Sequence, residues 1–261
     1  AMGKIACFGP QFLFGVEYWA KRLTRTVDYF LTGHQGLAVG DVNGDGLEDL
    51  YLCDGGGMPN RLFLQNPDGT VRDASAAAGV DFFESSRSAL LLDLDNDGDQ
   101  DLVVATVAII VFAENNGRGT FTMRGGHLGA SYPTSISAAD YDNDGDQDLY
   151  VANDYGRNNL FRNDNGIFAD VAASAGVEDI SAGMAVSWGD YDNDGHIDLY
   201  VSNMYSSAGQ RITYQRHFMT EASEDTRRQM QQHAGGNTLF KNMGDGTFKD
   251  VSQASNTNMG R

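Results

Sequence analysis

One nonapeptide recurs four times in this chain: DVNGDGLED at 41–49, DLDNDGDQD at 93–101, DYDNDGDQD at 140–148 and DYDNDGHID at 190–198. The copies begin 52, 47 and 50 residues apart. A period of that size marks a repeat architecture, in which each unit is one supersecondary element that cannot cover its own faces and must stack on its neighbours.

The similarity extends past the nonapeptide. Each copy follows an alternating apolar run (GLAVGDV from Gly36, ALLLDL from Ala89, ISAADY from Ile136, AVSWGDY from Ala185) and precedes another (DLYLCD, DLVVAT, DLYVAN, DLYVSN). Alternation with period two predicts strands on both sides of the loop. A third strand is expected in NRLFLQN from Asn60, AIIVFAEN from Ala108, NNLFRN from Asn158 and NTLFKN from Asn237, and a fourth in GTVRDAS, GTFTMR, GIFADVA and GTFKDVS. Four short antiparallel strands in about 50 residues describe the blade of an all-β protein, a β-propeller, and not a helical solenoid.

One insertion breaks the rhythm. From the first loop aspartate to the third-strand phenylalanine is 22 residues for Asp41 to Phe63, 19 for Asp93 to Phe112 and 21 for Asp140 to Phe161, but 50 for Asp190 to Phe240. The extra segment, about 204–236, lies between the second and third strands of the last blade. Its stretch from Met219 to Ala234 is rich in helix formers and offers Thr220 or Ser223 as a cap. Residues 35–261 thus read as the repeat region, and 1–34 as a segment that contributes strands to a fifth, loopless blade closed by the C-terminus; a piece of a larger propeller is the alternative.

The nonapeptide has the chemistry of a calcium loop. Calcium takes six to eight oxygen ligands, with a bidentate carboxylate to fill its large shell. In the second copy Asp93, Asp95 and Asp97 alternate inward, the Asp99 carbonyl adds a backbone oxygen and Asp101 closes the shell, while Gly98 permits the sharp turn. The same roles fall to Asp41, Asn43, Asp45, Leu47 and Asp49, to Asp140, Asp142, Asp144, Asp146 and Asp148, and to Asp190, Asp192, Asp194, His196 and Asp198. Most of the formal net charge of -18 lies in these loops. About four Ca²⁺ ions are expected, and without them the clustered charges repel. An EF-hand is disfavoured, because position ten is always leucine (Leu50, Leu102, Leu149, Leu199) followed by strand residues, not the run to a twelfth-position glutamate between helices.

The pattern resembles the FG-GAP or VCBS repeat family, whose loops in integrin α-subunits bind calcium within a propeller. It is similar most of all to extracellular proteins that pair such repeats with an ASPIC/UnbV module, the cartilage acidic protein type among them; NRLFLQNPDGT, DLYVANDYGRNNLFRN, AGMAVSWGDYDNDG and NMYSSAGQRITYQ carry that likeness. The resemblance implies an extracellular, cell-surface or periplasmic scaffold with structural calcium.

The acidic balance excludes nucleic acid as a partner, since phosphate backbones call for a basic patch. No apolar run is long enough to span a membrane. Cys7 and Cys53 are too few for a disulfide framework and are expected as buried thiols, unless the fold pairs them. Ala1-Met2-Gly3 reads as a cloning remnant. No nucleophile elbow, zinc-protease helix, P-loop or dinucleotide fingerprint occurs. His34, His127, His196, His217 and His233 are scattered, and Trp19 and Trp188 are expected in a core or blade interface, with a sugar site as the other reading. The insertion is the candidate ligand surface, with Tyr205, Arg211, Tyr214, Arg216 and His217 gathered on one long connection. A scaffold without catalysis, binding a protein or a carbohydrate, is the expectation; a calcium-dependent polysaccharide lyase or hydrolase acting beside the insertion is the alternative.

Overall fold

The computed structural model describes residues 36–55, 58–128, 132–154 and 156–258. The proposed closing blade from residues 1–34 and the last residues, 259–261, lie outside them, as do Cys7 and Trp19. The chain divides into two compact units between His127 and Leu128.

Each unit holds two four-stranded antiparallel sheets with strands in chain order, as the alternating patterns predict. In the first unit these are β1 to β4 (Leu37–Gly40, Asp49–Leu52, Arg61–Gln65, Val71–Asp73) and β5 to β8 (Ser86–Leu92, Asp101–Thr106, Ile109–Asn115, Phe121–Leu128). In the second they are β9 to β12 (Pro133–Ala139, Asp148–Asn153, Asn159–Asp164, Ile167–Asp170) and β13 to β16 (Gly183–Gly189, Asp198–Asn203, Thr238–Asn242, Phe248–Asp250). All four acidic loops occupy the same place, between the first and second strands of their sheet. The register fixes both loop ends: Gly40 pairs with Asp49, Leu92 with Asp101, Ala139 with Asp148 and Gly189 with Asp198.

The second strands β6 and β10 are buried along their full length, which is why their sequences are apolar runs and not alternating ones. In the first unit Tyr51, Leu62, Leu102 and Val104 form a core contributed by both sheets. In the second, Tyr150, Leu160, Leu199 and Phe240 do the same. Trp188 packs on that second core, edge-on to Tyr150 with ring centroids 6.1 Å apart. Within the first unit the first strands of the two sheets approach closely: a Cβ on Gly36 would stand 2.5 Å from the Ser88 Cα, so only glycine fits there.

Two single-turn helices not expected from the sequence follow fourth strands, α1 (Ser75–Ala78) and α2 (Ala172–Ala175). Each ends at a glycine in the left-handed region, Gly79 with φ 78° and Gly176 with φ 77°. The next residue's carbonyl is then presented to a buried tyrosine: Tyr51 donates to the Val80 carbonyl at 3.1 Å and Tyr150 to the Val177 carbonyl at 2.9 Å.

The insertion forms two helices. α3 (Ser207–Thr213), which the sequence reading did not foresee, is capped by Ser206, and α4 (Glu224–His233) by Ser223, not Thr220. Glu224 and Asp225 in the first turn of α4 and His233 in its last complement the helix dipole. Gln210 and Gln231 tie the helices together through the Ala234 and Thr213 carbonyls, and a Tyr205–Gly235 bridge closes the base.

Candidate metal centre

The four loops share one backbone design. The first aspartate accepts the N–H of the sixth-position glycine: Asp41 from Gly46 at 2.7 Å, Asp93 from Gly98 at 3.0 Å, Asp140 from Gly145 at 3.1 Å and Asp190 from Gly195 at 2.9 Å. The fifth-position carboxylate accepts the seventh N–H, in Asp45 to Leu47, Asp97 to Asp99, Asp144 to Asp146 and Asp194 to His196. Two residues per loop are left-handed, the glycine at position six and Gly44, Asn96, Asn143 or Asn193 at position four. Asparagine tolerates that conformation better than other residues with a Cβ, which accounts for its recurrence.

The ninth aspartate is an anchor as well as a candidate ligand. Asp49, Asp101, Asp148 and Asp198 are all buried. One oxygen of each accepts the N–H of the second loop residue (Val42, Leu94, Tyr141, Tyr191) and the other an N–H at the end of the third strand (Gln65, Asn115, Asn163, Asn242). Every carboxylate oxygen carries two lone pairs, so each of these bonds leaves one on its oxygen.

In the last three loops the side chain at position seven lies against a turn outside the loop. Asp146 accepts the Asn165 N–H at 2.6 Å, Asp99 lies against Gly117 and His196 against Gly244, on the turns joining third and fourth strands. At this position a cation would be served by the backbone carbonyl.

Three loops bring three carboxylates within 4.8 Å of one another: Asp93, Asp95 and Asp101; Asp140, Asp142 and Asp148; Asp190, Asp192 and Asp194. The first loop, with Asn43 in third position, forms no such trio. Burial pushes Asp101 up to about 6 and Asp148 up to about 7, against the two N–H bonds that each accepts, with neighbouring carboxylates adding to the rise. Asp49 and Asp198 are raised for the same reasons, and Asp95 and Asp142 by burial and by Asp97 and Asp144. Burial also acts on Asp41, but four backbone N–H donors outweigh it and hold that carboxyl below its ordinary range.

The fit to a cation is tested by what these oxygens lack. Asp93 Oδ1, Asp95 Oδ1 and Asp142 Oδ1 are buried and accept no hydrogen bond. A buried carboxylate oxygen without a donor is costly, and a hard divalent cation satisfies it. The second and third loops therefore fit calcium.

The fourth loop differs, because the Lys241 ammonium bonds Asp192 and lies 2.8 Å from Asp194 Oδ2. The two carboxylates raise Lys241, and the bond to Lys241, foremost, lowers Asp194. The sequence reading did not single out Lys241. Nor did it single out Asn115 and Asn242, whose buried side-chain amides donate at 2.8 Å to the Val42 and Tyr141 carbonyls of the preceding sheet's acidic loop. Their signal was the asparagine recurring at the end of the third-strand motif.

The FG-GAP-like repeat model matches residues 41–104, 93–151 and 140–201 in overlapping succession. The chain belongs to the FG-GAP-like repeat family. Among relatives of this FG-GAP-like chain, cartilage acidic protein 1 of Xenopus tropicalis is 31% identical over 107 residues, 36% of this chain and 16% of the relative. Cartilage acidic protein 1 of Homo sapiens is 40% identical over 73 residues, 28% of this chain and 11% of the relative. The FG-GAP-like repeats here thus correspond to a small fraction of those proteins. Among solved structures, an Agrocybe aegerita lectin, described as specifically recognising non-reducing terminal N-acetylglucosamine, aligns over 82% of this chain and 50% of its own with 18% identity and a TM-score of 0.45.

The ligand residues expected on the insertion are all exposed, but they do not form one site. Tyr214 lines a cavity of about 940 Å³ together with Glu178, Asp179, Gln210, Arg228 and Gln231. Tyr214 and Arg216 share a smaller one of about 290 Å³ with Glu224, Arg227 and Arg228. Tyr205, Arg211 and His217 line neither.

Proposed function

We propose that this chain is a calcium-stabilised binding scaffold working outside the cytoplasm, in which the ions are structural and the insertion presents the surface for a protein or carbohydrate ligand. The observation that carries the metal reading is the set of buried, donor-less carboxylate oxygens on Asp93, Asp95 and Asp142, the last two at the same third position of successive repeats. Loops of this kind fill where calcium is millimolar, which favours an extracellular, cell-surface or periplasmic setting; the name of the cartilage acidic relatives supports the same placement. Among the described residues no helix is long and apolar enough to cross a membrane.

The ligand reading rests on exposed Tyr214 and Arg216 at two polar cavities beside helices α3 and α4, with Tyr205, Arg211 and His217 exposed elsewhere on the insertion. Tyrosine supplies contact area at low entropic cost, and arginine adds directed hydrogen bonds. Calorimetric calcium titration tests the metal part: several equivalents are expected in the full chain, and one fewer in Asp142→Ala. Glycan and protein arrays probed with and without chelator test the rest. Calcium-dependent retention that Tyr214→Ala and Arg216→Ala weaken supports the scaffold, whereas turnover of a bound oligosaccharide overturns it.

A further inference from the structure

The same structural position decides the electrostatics of each loop. The residue following the one paired with Leu50, Leu102, Leu149 or Leu199 is Leu64, Glu114, Arg162 or Lys241. Leu64 is apolar. Glu114 adds a carboxylate beside the second loop and is itself paired with Arg124. Arg162 is held by Asp164, two residues on, at 2.9 Å. Met243 occupies the place of Asp164 in the fourth sheet, so Lys241 has no such acid to hold it and turns into the loop, onto Asp192 and Asp194. Lys249 stands directly opposite Lys241 in the register, and like charges facing one another favour the same turn. The contrast extends to the oxygens: buried orphans occur in the second and third loops, while in the fourth Asp192 Oδ2 and Asp194 Oδ2 are taken by the ammonium.

We infer that Lys241 is a tethered cation that competes with calcium for the fourth loop, making it a site of lower affinity than an unhindered loop of the same composition. This rests on the reading of the loops as calcium sites. A divalent ion entering there must break the lysine's bonds to Asp192 and Asp194, and it then meets a positive charge a few ångström away. Such repulsion weakens binding on the order of tenfold even when well screened. The fourth loop then fills over a higher range of calcium concentration than its sequence alone implies, so that the last blade and its insertion respond to calcium levels at which other loops are already loaded.

The test is calcium binding to the full chain by calorimetry and native mass spectrometry, comparing wild type, Lys241→Met and Lys241→Met/Asp190→Asn, with Arg72→Met as an equal loss of charge at an exposed strand position. The expected result is that one binding step tightens about tenfold in Lys241→Met. That gain should vanish in the double variant and be absent in Arg72→Met. Identical isotherms for wild type and Lys241→Met overturn the inference and leave the calcium reading standing, as does an equal gain in Arg72→Met. No calcium uptake by any variant overturns both.

Discussion

The Asn242 side-chain amide donates to the Tyr141 carbonyl at 2.8 Å across 101 residues of sequence, and to the Ile197 carbonyl at 3.0 Å. The first unit repeats the arrangement, with Asn115 donating to Val42 at 2.8 Å and Gln100 at 3.0 Å. Each asparagine thereby sews its own acidic loop to that of the preceding sheet in the same unit. Asn242→Ala and Asn115→Ala each leave one buried and one part-buried carbonyl without this donor and are expected to destabilise the chain by about 1–3 kcal/mol. Urea unfolding measures the loss; an effect within a few tenths of a kcal/mol contradicts the clamp.

Calcium withdrawal should act on the same joints. Bound ions stabilise by mass action, about 2.7 kcal/mol per site at a hundredfold excess over Kd. The thermal midpoint is therefore expected to fall by several degrees in EGTA and to return with calcium but not with an equal ionic strength of sodium chloride. A midpoint indifferent to chelator removes the basis for structural calcium.

Tyr150→Phe deletes one hydroxyl and no packing volume. Its loss leaves the buried Val177 carbonyl, presented by the Gly176 cap, with the Asp179 N–H at 2.8 Å as its remaining donor. The expected destabilisation is about 0.5–1.5 kcal/mol, the net worth of one hydrogen bond. Exposed Tyr191→Phe serves as the contrast and should lie within about 0.5 kcal/mol of wild type.

Burial pushes the Cys53 thiol up to about 12, with Asp54 adding to the rise, and the side chain is 3% exposed. The folded chain thus holds the neutral thiol where an unfolded one ionises near 9. Stability from this group is fully present below pH 9 and is lost as pH climbs towards 12. At pH 8 iodoacetamide should label Cys53 far more slowly in the native chain than in urea, on the order of a thousandfold from thiolate fraction alone, as peptide mapping would show. Equal labelling rates contradict the burial.

The sequence by itself determined the repeat, the four-strand unit and the place of each loop, because side-chain alternation and loop chemistry are local and recur in register. The meeting of Asp93, Asp95 and Asp101 follows from a turn with left-handed positions four and six, although the first loop, with Asn43 in third position, forms no such trio. Helix α4 was legible for the same reason, with Ser223 one of the two caps that the sequence offered. Helix α3, the one-turn helices before Val80 and Val177, the asparagine clamps and the ammonium of Lys241 in the fourth loop were decided only by tertiary structure. The clamps and the lysine depend on partners brought from distant parts of the chain, as Lys241 meets Asp192 49 residues away, and no local pattern encodes that pairing. The long connection between β14 and β15 was read as a single ligand surface, yet the fold groups Tyr214 and Arg216 around the cavities and leaves Tyr205, Arg211 and His217 elsewhere, because helix packing, not proximity in sequence, sets which side chains share a face.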